Sequence, residues 1–258
     1  MDFRLLFISA LRIPTFVMHK VYLSLHEGFM RQVLRQWMLG RRVIILSMRI
    51  TKYGHCCLLI EEGGLRILTD PSPFSVGQET ARNVDLILIT HEHGDHFHID
   101  SLKAILANNP QAKVVTNHAV GALMEKASLT FELLEHGQSR KDKDVLIEGI
   151  GTEHAVIYPT IPNVQNTGYF IGNKMFYPGD ALTNPERPVD ILALPVAGPW
   201  MKISEAIDYA KAIKPKIWFP VHEAILKDPM LGFRAPSIVL PPLGIPGQIL
   251  ELGKEIDF

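Results

Sequence analysis

The sequence has little cysteine and no long apolar run. Its two cysteines among 258 residues are adjacent, at Cys56 and Cys57. They cannot build a disulfide framework, so a reducing, cytoplasmic location is expected. A membrane-spanning helix needs about 20 mainly apolar residues in succession. The apolar stretch near the N-terminus is interrupted by Arg12 and Pro14, and no transmembrane segment is predicted.

Several common catalytic signatures are also missing. The chain has no Gly-x-x-x-x-Gly-Lys phosphate loop, no Gly-x-Gly-x-x-Gly dinucleotide loop and no Gly-x-Ser-x-Gly nucleophile elbow. Its formal net charge of -1 gives no general attraction to nucleic acid. The hydrophobic content of 47% is typical of a globular protein that buries a sizeable core.

Residues 1–47 differ in charge from the rest of the chain. They carry seven basic and two acidic side chains, whereas residues 48–258 carry 19 basic and 25 acidic ones. We therefore expect an N-terminal extension, 1–47, outside the core fold, and one folded domain over 48–258. The extension is interpreted as a tail, or as upstream sequence translated from an early start codon, with Met48 as the functional start. The alternative is a basic amphipathic helix that lies on a membrane or a partner.

The hydrophobic pattern of residues 48–258 alternates between strand and helix signals. The nearly continuous apolar run at 84–90 is typical of a strand buried on both faces, and 203–213 has apolar residues at helical spacing. Further strands are predicted at 49–53, 56–61, 66–69, 113–116, 145–149, 155–157, 167–171, 174–177, 189–195 and 217–220, and further helices at 99–107 and 119–126. The tail from Pro229, rich in proline and glycine, is interpreted as irregular cover. This order predicts an α/β fold with two sheets flanked by helices.

Metal-binding side chains are concentrated directly after the strand at 84–90. Residues 91–96 read His-Glu-His-Gly-Asp-His. Alternate spacing lets His91 and His93 converge on one ion, and a turn at Gly94 lets Asp95 and His96 face a second ion. Imidazole and carboxylate groups suit zinc, iron or manganese, and the absence of cysteine argues against a closed structural zinc site. A loop that only caps the next helix would not explain three histidines.

Four ligands are too few for two ions, so others must come from elsewhere in the chain. His154, Asp180 and His222 are metal-capable residues at predicted strand ends, where loops carry functional side chains. Each alone is typical of a surface or hydrogen-bonded polar residue. Together with residues 91–96 they form a candidate ligand set.

The pattern resembles the metallo-β-lactamase-fold hydrolase superfamily, with His-x-His-x-Asp-His followed by a later His, a Gly-Asp pair and a final His. This resemblance implies a four-layer αβ/βα sandwich, with one metal held by His91, His93 and His154. It implies a second metal held by Asp95, His96 and His222, and Asp180 as the bridge. Short blocks at 53–55, 69–71, 177–180, 194–196 and 201–206 are similar to the branch that includes L-ascorbate-6-phosphate lactonase.

The resemblance and the ligand chemistry together predict a metal-dependent hydrolase. Two divalent ions, zinc first and manganese or iron as alternatives, would supply a metal-bound hydroxide that attacks a small ester, lactone or phosphoester. Asp95 would orient the hydroxide and pass a proton to the leaving group. His55 is a candidate for a position behind the ligands, where it would donate to a ligand or to substrate; the alternative is a hydrogen-bonded strand histidine. Asp70 is a candidate to orient a metal-bound histidine; the alternative is that it shapes the turn before Pro71.

Three other functions are weighed against this one. A nuclease of the same fold is disfavoured by the acidic balance of residues 48–258 and the absence of a basic stripe. A di-iron oxidoreductase could use the same ligands, but the chain has no Cys-x-x-Cys segment to deliver electrons. A non-catalytic metal-binding module is disfavoured because all seven ligands are present.

Overall fold

A computed structural model describes residues 48–258, which form two β-sheets and four α-helices. The expectations for residues 1–47 lie outside the described residues. The helices are α1 (Ile99–Asn108), α2 (His118–Lys126), α3 (Ile203–Ile213) and α4 (Met230–Val239). Short 3-10 turns lie at Gln78–Thr80, Glu223–Ile225 and Pro241–Leu243. Among the residues described, we find no helix with the length and apolar character needed to cross a membrane.

The first sheet has seven strands in the order β13-β1-β2-β3-β4-β5-β6. Their bounds are β1 Arg49–Gly54, β2 Cys57–Glu62, β3 Leu65–Thr69, β4 Leu86–Leu88, β5 Lys113–Thr116, β6 Glu132–Leu133 and β13 Glu255–Asp257. Strands β3 to β6 run parallel to one another, whereas β1 to β3 form an antiparallel meander. Strand β4 is buried at every position, as its unbroken apolar run predicts.

The second sheet has six strands in the order β12-β11-β10-β9-β8-β7. Their bounds are β7 Ser139–Asp142, β8 Val145–Ile150, β9 Gly168–Ile171, β10 Met175–Tyr177, β11 Ile191–Pro195 and β12 Ile217–Val221. Strands β10, β11 and β12 are parallel, and β8 runs in the same direction because two antiparallel pairings separate it from β10.

The core is layered as helix, sheet, sheet, helix. One apolar cluster joins the inner faces of both sheets, a second packs the first sheet against α1 and α2, and a third packs the other sheet against α3 and α4. Cys56 belongs to the inter-sheet cluster and Cys57 to the helix-side cluster, because successive residues of an extended chain point to opposite faces. The predicted αβ/βα sandwich is confirmed.

Two local predictions are wrong. Residues 155–157 form no strand, since the Ala155 amide donates to the Asp180 carbonyl at 2.8 Å instead of joining a ladder. The tail from Pro229 is not irregular: it forms α4, with Gly232 and Pro236 buried, and later the edge strand β13. Strands β6 and β7 were not predicted, and their exposed, polar sequences explain why.

Candidate metal centre

All the candidate site residues follow strands that end at one edge of their sheet. In the first sheet, His55 follows β1, Asp70 follows β3 and residues 91–96 follow β4. In the second sheet, β8, β10 and β12 precede His154, Asp180 and His222 respectively. Since these strands share a direction within their sheet, their carboxyl ends lie together, which is the edge where α/β proteins place functional loops.

The turn after β4 brings its four candidate ligands to one side. The His93 carbonyl accepts hydrogen bonds from the amides of His96 (2.9 Å) and Phe97 (2.8 Å), so the chain reverses between them. Gly94 has open space where a Cβ would lie, and its φ is not positive. The turn predicted at Gly94 is present, but it does not depend on glycine at this position.

A first ligand group comprises His91, His93 and His154. One nitrogen from each lies within 4.8 Å of the others, and the ring centroids are 4.7 to 5.0 Å apart. His91 and His154 are buried, whereas His93 is half-buried. The resemblance implied this triad, and the structure brings its members together.

A second ligand group comprises His55, Asp95, His96 and His222, whose ligand atoms also lie within 4.8 Å of one another. Asp95 Oδ2 is 3.4 Å from His222 Nε2 and 4.0 Å from His96 Nε2. It also lies 3.3 Å from His55 Nε2. The structure thus places His55, expected behind the ligands, in contact with one of them.

Asp180 lies between the two groups. Its carboxylate oxygens are 3.3 Å from His154 Nε2 and 3.9 Å from His91 Nε2 on one side. On the other side they are 3.2 Å from His96 Nε2 and 2.8 Å from His222 Nε2. A single buried carboxylate that reaches both groups has the placement that a bridging ligand requires.

The buried nitrogen atoms of this cluster fit a metal centre. The Nε2 atoms of His91, His96, His154 and His222 are buried and make no hydrogen bond of good geometry within the described residues. Buried polar atoms normally have partners, because an unsatisfied one costs about 1–3 kcal/mol. Four such nitrogens around two carboxylates are explained by cations that take their lone pairs.

The opposite nitrogens of three of these rings are held by outer partners. His154 Nδ1 donates to the Ala155 carbonyl at 2.5 Å, and His91 Nδ1 is 3.0 Å from Thr90 Oγ1. His96 Nδ1 lies 2.7 Å from Asp70 Oδ2. A proton held on Nδ1 leaves Nε2 with its lone pair toward the centre, the arrangement usual for metal-binding histidines.

Asp70 collects more donors than any other carboxylate of the site. Besides His96, it accepts from the Thr90 amide (2.8 Å), the Thr90 hydroxyl (2.6 Å) and the Tyr177 hydroxyl. Asp70 is fully buried, and these four donors offset the cost of burying its carboxylate. The structure therefore places Asp70 directly behind His96, as the sequence reasoning expected.

The two ligand groups differ in their electrostatics. Burial and the neighbouring imidazoles lower the pKa of His91 and of His93. Burial acts the same way on His96 and His222. The nearby carboxylates, Asp180 foremost, together outweigh burial, so the pKa of each is raised. The surrounding imidazoles hold the pKa of both Asp95 and Asp180 below the usual range despite burial. Burial lowers the pKa of His55 to about 4.

Three contacts at the site were missed by sequence reasoning. The Trp200 indole, after β11, donates to Asp180 Oδ2 at 3.0 Å, and Tyr177 supports Asp70. Lys52 is buried in β1, where it pairs with Glu223 and donates to the Pro220 carbonyl at 2.7 Å. A charged residue at an inward position of a strand was the available signal for Lys52.

Comparison with known proteins identifies the family of the chain. The family model described as a beta-lactamase superfamily domain matches residues 49–222. The protein Rv0786c of Mycobacterium tuberculosis is 39% identical over 184 residues, covering 69% of this chain and 85% of the relative. A UPF0173 metal-dependent hydrolase of Carboxydothermus hydrogenoformans is 30% identical over 201 residues, covering 68% and 84%.

Solved structures share the fold. Igni18, a metallo hydrolase of the archaeon Ignicoccus hospitalis, superposes with a TM-score of 0.66 at 21% identity and covers 82% of this chain and 98% of its own. At that identity the likeness establishes the fold alone. The family match covers most of the described domain, and the chain belongs to the metallo-β-lactamase superfamily of metal-dependent hydrolases.

Proposed function

We propose that this protein is a hydrolase with two divalent metal ions, most simply zinc, that cleaves a small ester, lactone or phosphoester. His91, His93 and His154 would hold one ion, Asp95, His96 and His222 the other, and Asp180 would contact both. The observation that carries the proposal is the convergence on two carboxylates of four buried Nε2 atoms that make no hydrogen bond of good geometry with any described residue. When bound, such ions polarise the substrate oxygen and lower the pKa of water to about 7.

Asp95 is the residue of this centre best placed to move a proton. Its contacts with His55, His96 and His222 all use Oδ2, which leaves Oδ1 for water or substrate. It is also more exposed than Asp180. With its lowered pKa it is ionised at neutral pH. We propose that Oδ1 accepts a proton from the attacking water and returns it to the leaving-group oxygen.

The other residues hold the reacting groups in place. Trp200 fixes the orientation of Asp180 through its indole N–H, and Asp70 fixes the ring of His96. Two free, buried thiols at Cys56 and Cys57 are compatible with the cytoplasmic location that we propose.

The test combines elemental analysis with a substrate screen. The purified full-length protein should contain close to two equivalents of metal and hydrolyse at least one of p-nitrophenyl acetate, a γ-lactone and bis(p-nitrophenyl) phosphate. Asp95→Asn should lower kcat by about 10²- to 10⁴-fold with an unchanged circular dichroism spectrum. Asp100→Asn, an exposed carboxylate in the first turn of α1, is the matched control. An Asp95 variant that keeps its metal and full activity would remove Asp95 from the mechanism.

The same metal analysis, with RNA added to the substrate screen, separates the alternatives. Two equivalents of iron with no hydrolysis of any substrate would favour the di-iron oxidoreductase. Cleavage of RNA with no cleavage of small esters would favour the nuclease.

A further inference from the structure

Large apolar side chains are exposed in three loops that begin at the site. The loops are 71–77 after Asp70, 155–163 after His154 and 223–229 after His222. They hold six of the fourteen exposed large hydrophobic residues among those described. These six are Phe74, Val76, Val156, Tyr158, Ile161 and Ile225, and we call them the apolar rim.

The first loop is fixed against the site. The Val76 amide donates to the Tyr53 carbonyl at 2.8 Å, and the Ser75 hydroxyl donates to the Gly54 carbonyl at 3.2 Å. The Phe74 ring lies 5.2 Å from the ring of His55. This contact places one face of an exposed aromatic ring directly beside the second ligand group.

The second loop is fixed at both ends by His154. The Asn163 side chain donates to the His154 carbonyl at 2.8 Å, and the His154 amide donates to the Val164 carbonyl at 3.0 Å. Between these two bonds Val156 and Tyr158 are about 60% exposed. The backbone is thus held while the apolar side chains face solvent, so the exposure is built into the loop.

The third loop begins at the buried ion pair of Lys52 and Glu223. This pair fixes the 3-10 turn Glu223–Ile225 immediately after His222, and Ile225 at the end of the turn is exposed. All three loops therefore present apolar atoms within a few residues of a site residue.

Charge is scarce in the same loops. Residues 71–77 and 155–163 contain no charged side chain, and Lys227 and Asp228 balance each other in the third loop. Beside the ligands in the sequence, Glu92 and Glu153 are acidic. One basic residue, Lys202, lies two positions after Trp200. A phosphate group is usually recognised by several Arg or Lys side chains, and these loops do not supply them.

We propose that the substrate is an uncharged ester or lactone with an apolar acyl or aryl portion, which lies on the apolar rim while its carbonyl faces the metal centre. The inference rests on the proposed hydrolase function and narrows it. It excludes phosphoesters as the bond that is cleaved, and it excludes substrates that carry a phosphate group elsewhere. Contact with the rim favours longer apolar chains because each methylene removed from water contributes to binding.

The first experiment measures the dependence of kcat/KM on chain length. p-Nitrophenyl butyrate, hexanoate and octanoate are compared below their micellar concentrations, with p-nitrophenyl phosphate and bis(p-nitrophenyl) phosphate alongside. Octanoate should exceed butyrate by about tenfold, less than full burial of four methylenes would give, because the rim stays partly wet. A flat or falling series, or preference for either phosphate ester, overturns the proposal.

Paired variants assign the effect to the rim. Val156→Ser with Ile161→Ser should reduce the octanoate-to-butyrate ratio of kcat/KM at least about threefold, because both side chains are exposed on the rim and neither is part of the ligand set. Ile238→Ser with Leu252→Ser removes similarly exposed apolar side chains from α4 and the C-terminal segment. This control pair should leave the octanoate-to-butyrate ratio of kcat/KM unchanged. Equal effects of the two pairs overturn the assignment.

A binding measurement keeps this inference separate from the proposed function. Hydroxamates chelate metal ions, so calorimetric Kd values for acetohydroxamate and octanohydroxamate report on the rim without turnover. Octanohydroxamate should bind about tenfold more tightly to the metal-loaded protein, and the Val156/Ile161 variant should lose most of that difference. Such a result supports the rim even if no tested ester is cleaved, whereas that lack of cleavage would count against the hydrolase proposal. Equal affinities, or binding of neither compound, would overturn the proposal that the rim binds the substrate.

Discussion

The two ligand groups of the candidate centre differ in charge although one carboxylate touches both. His91, His93 and His154 form a group of neutral donors, supported from behind by a hydroxyl and a backbone carbonyl. The second group includes Asp95, and its His96 is backed by the buried carboxylate of Asp70. The first group is therefore poor in negative charge and the second is rich in it.

If each group holds an ion, as we propose, this difference makes the two metal positions unequal although their side chains are similar. A carboxylate behind a histidine makes the imidazole more basic and a stronger ligand. The same carboxylate raises the proton affinity of that ring, so protons compete with the metal more strongly in the second group. We therefore expect tighter intrinsic metal binding at the second group, offset by a greater dependence of that binding on pH.

Asp180→Asn should have the largest effect, because it alters the one residue that both groups share. We expect kcat/KM to fall by at least about a thousandfold, since the loss of metal-ion stabilisation amounts to several kcal/mol. Metal content, measured by elemental analysis, should fall in the same variant. Asp190→Asn, a half-exposed carboxylate beside Lys216, should change neither value. Retention of two ions by the Asp180 variant would contradict the bridging role.

The pH dependence of metal loading should separate the two groups. His91 and His93 have pKa values lowered from the ordinary 6.5, so near pH 6.5 both are mainly neutral and release few protons on binding an ion. His96 and His222 have raised pKa values and hold protons there. Metal affinity at the second group should therefore fall about tenfold for each unit by which the pH is lowered and each proton displaced. For one proton this amounts to about a hundredfold between pH 7.5 and pH 5.5.

Equilibrium dialysis against zinc across this pH range is the measurement, with proton release followed in two buffers of different ionisation enthalpy. Loading of both ions with one common pH dependence would show that the groups are not electrostatically distinct.

Asp70→Asn tests the support behind the second group. Removing this charge should weaken metal binding at the second group about 10- to 100-fold, the usual cost of losing a partner behind a ligand. The first group should keep its ion. Asp85→Asn is the control, because Asp85 accepts hydrogen bonds at the opposite end of the same sheet. Equal loss of both ions in the Asp70 variant would mean that the two groups form one unit.

Deletion of residues 1–47 should have the smallest effect. We propose that residues 48–258 contain the complete domain, so the truncated chain should keep its metal content and keep kcat/KM within about twofold, a change of less than 0.5 kcal/mol. Thermal melting of both forms is the accompanying measurement. A truncated chain that loses metal or unfolds would show that the extension contributes to the centre.

Much of the centre could be predicted because its ligands follow strands with strong sequence signals. Residues 91–96 are contiguous and directly follow β4, and His222 follows the apolar strand β12. The partners of Trp200 and Lys52 could not be predicted, because their contacts with Asp180 and Glu223 join positions 20 and 171 residues apart. Such contacts depend on how the two sheets pack, which no local pattern records.

The errors in the predicted secondary structure arise where tertiary contacts outweigh the local sequence pattern. Residues 155–157 are apolar and β-branched in part, which favours a strand, yet the Ala155 amide donates to the Asp180 carbonyl and the segment is a loop. Pro229 and Pro236 suggested irregular structure, but Pro229 precedes the first turn of α4, where a missing amide costs little. The helix α4 then forms because packing against α3 and the second sheet outweighs its weak propensity.

Three site residues have backbone conformations that side-chain-bearing residues rarely adopt. His55, Asp70 and His222 have φ values of 46°, 36° and 67°, and each such left-handed position costs about 1 kcal/mol relative to glycine. Selection for heat resistance alone would replace these residues with glycine or asparagine and would empty the centre of the groups that make it useful. Engineering to raise the melting temperature of this protein should therefore keep these three residues and place stabilising substitutions at other positions.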